Sequence, residues 1–224
     1  SGDDQNPVTP IAGKVWEDAL DSSDDLSQGN PDGDAGETEE LTGDGAGTNP
    51  ASLSSLVSDG ADEPVRYGII TDTSAIATAL GGITSKGKSL VYVVSTTATG
   101  QKVTAYADET GNGYSAADDR EVFTLEVNST TGNWEFDLND QLDHVDASGE
   151  NGTALKNSGS NTNPIAGLNF SSVVTVSDAD NDTLTLGALT GNTTVFTITV
   201  ENDVPEASGD DQNPVTPIAG KVWE

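Results

Sequence analysis

Apolar residues in this chain come in short runs separated by Gly, Asn, Asp and Ser, and several runs alternate strictly. Between residues 121 and 128, Val122, Thr124 and Glu126 stand against Phe123, Leu125 and Val127, a period of two. Trp134, Phe136 and Leu138 alternate with Glu135, Asp137 and Asn139, and Thr130-Thr131-Gly132-Asn133 lies between the two runs. That pattern predicts an antiparallel hairpin, because successive strand side chains face opposite ways and a loop carrying Gly and Asn reverses the chain. Further strands are predicted over 14–17, 65–70, 89–95, 101–107, 171–177, 183–186 and 194–201, and only 74–80 reads as a helical turn. Residues 18–50 carry few apolar side chains among many Asp, Glu, Gly and Ser, and read as a long loop or a locally disordered stretch. Regular short strands with turn residues between them predict an all-β chain, an antiparallel β-sandwich with long acidic loops.

The pattern also repeats at long range. Residues 1–17 read SGDDQNPVTPIAGKVWE, and residues 208–224 repeat all of it. A period of 207 residues, from Ser1 to Ser208, is far longer than the roughly 20 to 50 residues of a solenoid repeat, so each unit should be a domain with its own core. The expected layout is a linker and repeat start over 1–14, a sandwich domain over 15–202, a linker over 203–214 and the start of the next repeat over 215–224. Pro205 fits the end of a last strand and a stiff junction. Tandem near-identical domains suit length or avidity better than catalysis.

Charge sharpens this picture. Acidic side chains number 38 against 8 basic ones, a formal net charge of -30. Such a surface repels nucleic acid and anionic lipid, so neither nucleic-acid binding nor membrane insertion is expected, and no apolar run approaches the roughly 18 residues of a membrane span. Its natural counterion is a divalent cation. A disordered acidic chain is the competing expectation, and the clustering of apolar residues into strand-like runs argues against it. There is no cysteine, so an exported domain of this size needs another staple.

Three groups of acids suit calcium, which takes six to eight oxygen ligands from carboxylates and carbonyls. Residues 108–119 read DETGNGYSAADD. With Asp108 at position one, Thr110, Asn112, Tyr114 and Asp119 fall at positions three, five, seven and twelve, with Gly113 at six. This is EF-hand loop spacing, departing at Thr110 and at Asp119, and set between strands instead of helices. Asp178, Asp180 and Asp182 alternate within a turn, and Asp203, which closes the following strand, is expected at the same end of the sandwich. Glu17, Asp18, Asp203, Asp3 and Asp4 (repeated as Asp210 and Asp211) flank the junction, where carboxylates of neighbouring repeats can share ions. Against each stands ordinary solvated turn chemistry, which also favours Asp and Asn.

Little points to catalysis. His144 is the only histidine and is expected to be a structural imidazole bonded to backbone; no Gly-x-Ser-x-Gly elbow exists, and no zinc site can be assembled. Trp16, Trp134 and Phe123 sit in strand patterns and are expected in the core.

The runs Ile83-Thr84-Ser85-Lys86-Gly87, Val122-Phe123-Thr124-Leu125, Thr131-Gly132-Asn133-Trp134-Glu135-Phe136, Leu142-Asp143-His144 and Asp178-Ala179-Asp180-Asn181-Asp182-Thr183 resemble the large repeats of RTX adhesins, over about residues 16–205. The resemblance departs at Asn181, where such repeats often carry Gly. It implies an immunoglobulin-like sandwich that binds Ca2+, leaves the cell by type I secretion, and acts as an extender on the bacterial surface. The only implied partners are neighbouring repeats of the same chain, as monomeric beads, with a distal tip for attachment and biofilm formation. The alternative is a module that itself binds glycan or peptide.

Overall fold

The computed structural model describes residues 8–21, 23, 25–29, 36–58, 63–147, 149 and 151–204. In chain order the strands are β1 (Ile11–Trp16), β2 (Glu40–Gly43), β3 (Arg66–Ile69), β4 (Thr84–Ser85), β5 (Lys88–Thr96), β6 (Gly100–Ala107), β7 (Arg120–Asn128) and β8 (Trp134–Leu138). There follow β9 (Leu155–Asn157), β10 (Ser160–Ile165), β11 (Leu168–Asn169), β12 (Val174–Ser177), β13 (Thr183–Thr185) and β14 (Phe196–Glu201). Two short helices interrupt them: α1 (Thr73–Ala79), capped by the Asp72 carboxylate on the N–H groups of Ser74 and Ala75, and α2 (Leu186–Thr190).

Six strands form one antiparallel sheet in the order β2-β8-β7-β6-β5-β4. The predicted hairpin is its centre, β7 and β8, with Phe123 opposite Leu138 and Val127 opposite Trp134. Because β7 is central, both its faces are covered: Val122, Phe123, Leu125 and Val127 are all fully buried. Three-stranded sheets β1-β14-β11 and β13-β12-β3 and the pair β9-β10 complete the described strands. The core lies where the large sheet meets the smaller ones. Phe123 and Phe136 on the large sheet face Phe170, whose ring lies 6.3 and 6.2 Å from theirs, and Phe170 reaches Phe196 of β14 at 5.6 Å. Trp134 packs on Phe196 at 4.9 Å and donates its indole N–H to the Ala51 carbonyl. Trp134 and Phe123 are core residues as expected, whereas Trp16 is only half-buried, with the Lys14 ammonium over its ring.

Three sequence expectations need revision. The chain is all-β, but its pairing is not wholly antiparallel: β1 and β14 run parallel, from Ile11 opposite Phe196 to Trp16 opposite Glu201. The loop over 18–50 contains β2, which extends the large sheet by pairing with β8. And β1 opens at Ile11, so the domain takes up chain before residue 15.

The parallel pair fixes where the chain enters and leaves. At one pole, called here the inlet, lie the start of β1 and the turns 97–99 and 129–133. At the other, the outlet, lie the end of β14, the loop 108–119 and the segment after β8. Glu17, just past β1, accepts the N–H of Leu142 at 2.6 Å, and Asp203, just past β14, donates its N–H to the same carboxylate at 3.4 Å.

Candidate metal-binding acids at two poles

The inlet pole carries the aspartate turn. Ser177 pairs with Arg66, whose guanidinium donates to Thr130 at 3.3 Å, so Asp178–Asp182 lies beside the β7–β8 turn. Asp178 accepts the N–H of Asp182 at 2.9 Å, and Asn181 adopts φ 72°, in the left-handed region. Asn tolerates that region better than most residues, so it serves where a glycine would otherwise be needed. The turn gathers three carboxylates: one oxygen from each of Asp178, Asp180 and Asp182 lies within 4.8 Å of the others. Asp180 hydrogen-bonds Asp178, which holds the Asp180 carboxyl above the usual aspartate range and Asp178 below it. Two carboxyls that close share a proton or a cation. The donors are all hard oxygens and two of the side chains are exposed, so the set fits Ca2+ and leaves room for water or carbonyl ligands. Asp203 does not join them; it lies at the opposite pole, because β12 and β14 end at different poles.

At the outlet pole, the loop 108–119 joins β6 to β7 as expected and is folded by its own aspartates. The Asp108 carboxylate accepts N–H groups from Gly111, Asn112 and Gly113 at 2.6, 3.2 and 2.8 Å, and the Thr110 hydroxyl lies 3.4 Å away. Asp119 accepts the N–H of Glu109 at 3.0 Å and of Ser115 at 2.7 Å, which ties the two ends of the loop together. The N–H of Gly113, then those of Gly111 and Asn112, outweigh desolvation and hold Asp108 below the usual aspartate range. Tyr114 is exposed and its ring rests on Tyr106 at 4.6 Å, leaving its backbone carbonyl as the oxygen it offers. Asp108 Oδ1 is filled by its donors, but Asp108 Oδ2 and the two Asp119 oxygens take one N–H apiece and keep a second lone pair that can face an ion.

The second outlet group is buried. Glu17 and Asp18 are 3% and 6% exposed, which is unusual for carboxylates. The structure brings Glu17 to Asp203 within the same domain, and one carboxylate oxygen of Asp203 is buried without a hydrogen-bond partner. His144 completes the group. Its Nε2 lies 3.3 Å from Glu17 Oε1, and neither ring nitrogen makes a hydrogen bond, so the expected bond from imidazole to backbone is absent. A buried carboxylate oxygen without a donor is one that a water or a cation can satisfy. Asp3 and Asp4, with Asp210 and Asp211, lie outside the described residues.

Sequence reasoning missed the ion network beneath these loops. Asp140 is fully buried and receives Arg120, the Ser27 hydroxyl, the N–H of Gln141 and, at 2.8 Å, the Lys86 ammonium. Arg120 also pairs with Glu109, which its hydrogen bonds hold below the usual range. The available signal was the scarcity of cations: Lys86 and Lys88 stand two positions apart among only 8 basic residues.

No protein-family model, curated protein or solved structure matches this chain. Among the described residues no helix is long and apolar enough to cross a membrane.

Proposed function

We propose that this chain is a calcium-stabilised extender repeat of a large bacterial surface adhesin of the RTX type, an immunoglobulin-like sandwich without catalytic activity that lengthens the protein and projects a distal binding region. The observation that carries this reading is the parallel pairing of β1 with β14. Parallel terminal strands put the start of one and the end of the other at opposite poles, so each repeat adds its full length to the array. An antiparallel terminal pair would return the chain to its starting pole and fold the array back on itself.

Acids at both poles support a calcium role. In a head-to-tail array the outlet group of one repeat, Glu17, Asp18 and Asp203, comes close to the inlet of the next. A site with a dissociation constant near 0.1 mM, facing roughly 10 mM calcium, contributes about 2.7 kcal/mol. Without the ion the same carboxylates repel one another.

Two measurements test this. Chelation is expected to lower Tm by roughly 10 °C or more, with calcium restoring it; a melt indifferent to chelator sinks the stapling. Small-angle scattering of two consecutive repeats in calcium is expected to give a maximum dimension near twice that of one, and a side-by-side pair would overturn the extender reading.

A further inference from the structure

The two tryptophans of the described residues have different fates. Trp134 is packed into the core, whereas Trp16 is left half-buried at the side of the molecule where the edge strands β1 and β2 approach one another. There the Trp16 backbone N–H donates to the Thr38 carbonyl at 3.2 Å, and a cleft of about 510 Å³ opens between the two strands and the turn 44–50. We propose that this cleft is a binding site for neutral saccharides, with the Trp16 indole as its stacking platform. The inference is independent of calcium and of the extender reading.

A pyranose ring carries C–H groups on one face and hydroxyls around its rim, so it needs a flat apolar surface set among polar groups. Trp16 provides the surface. Ile11 and Val15 of β1 are buried, and the alternate residues Ala12, Lys14 and Trp16 face the other way. The Lys14 ammonium lies 4.7 Å from the centroid of the Trp16 ring and pairs with Glu201. It thus steadies one face of the indole while its charge is taken up elsewhere. The Trp134 indole N–H is spent on the Ala51 carbonyl; that of Trp16 has no hydrogen-bond partner among the described residues and is free to donate to a ligand oxygen. Around the platform, Thr38, Glu40, Thr42, Thr48 and Asn49 line the cleft, and the last four are exposed. A carboxylate accepts from two neighbouring hydroxyls at once, and a threonine hydroxyl both donates and accepts. The Asn49 amide nitrogen is tied to Asp44 at 3.0 Å, which fixes the group and leaves its oxygen to accept.

Other ligand classes fit this lining less well. The net charge of -30 repels anions, which disfavours phosphates and acidic sugars. A metal ion would meet one carboxylate, Glu40, with the Lys14 ammonium nearby. An apolar ligand would strip water from hydroxyls that it cannot hydrogen-bond. The cleft beside the turns 97–99 and 129–131 is of similar size, about 570 Å³, and is also rich in hydroxyls and amides. Its lining aromatic, Tyr67, is only 6% exposed, so it presents no surface for a sugar to stack on.

The test uses the full chain, displayed multivalently on beads, against an array of neutral oligosaccharides and their sialylated counterparts. Neutral sugars are expected to be captured, and saturation-transfer NMR with a captured sugar then gives its affinity. Trp16→Ala is expected to weaken that affinity at least about tenfold. Because this substitution also removes packing, Thr48→Arg is made beside it. Thr48 is exposed on the turn, so the longer side chain should block the cleft while Tm stays within about 2 °C of the parent. An array without captured sugars, a preference for the sialylated members, or binding that survives either substitution overturns the proposal.

Discussion

Asp108 receives backbone N–H groups led by that of Gly113, and these hold its folded-state pKa below the ordinary aspartate value. A group depressed on folding stabilises the native state fully above its unfolded pKa, and that contribution disappears as pH falls through the folded value. Asp108→Ala, melted in chelator, is therefore expected to show a lower Tm than the parent at pH 7, with the gap closing under acid. A pH-independent gap would mean the carboxylate's charge is irrelevant to the loop. Phe170 is fully buried among Phe123, Phe136 and Phe196, so Phe170→Ala removes the ring that joins the large sheet to β14. Denaturant titration should register a loss of about 3–5 kcal/mol. Legibility at this scale followed distance along the chain. Asp108 and its donors lie within five residues, and their spacing displays the loop. Glu17 meets Leu142, His144 and Asp203 only after folding, so nothing near it in sequence marks it as buried.

Among elements, β7 and β8 were readable because their apolar residues alternate and a Gly-containing turn joins them. β2 was hidden: residues 40–43 hold one apolar side chain, Leu41, and they are a strand because β8 offers an edge to pair with. β10 is exposed along most of its length and carries no pattern to read. Nor does periodicity reveal strand direction, so a parallel β1–β14 pair was invisible. The loop 108–119 depends on Asp140 below it, where two cations converge on one buried carboxylate. Asp140→Ala leaves Arg120 and Lys86 with a lost partner and is expected to cost about 3–5 kcal/mol, as calorimetry or urea titration would record. A cost near zero would place Arg120 in solvent and detach the loop from the sheet.

At the scale of the molecule, the formal charge of -30 and the all-β make-up were both open to reading, whereas the separation of the two aspartate groups to opposite poles was not. It follows from pairing that only the folded chain displays. The same pairing governs how the domain answers to load. Pulling the first strand backwards and the last strand forwards slides β1 along β14, so the rungs from Ile11–Phe196 to Trp16–Glu201 share the tension together instead of opening one after another. Shear is the direction in which this ladder yields last.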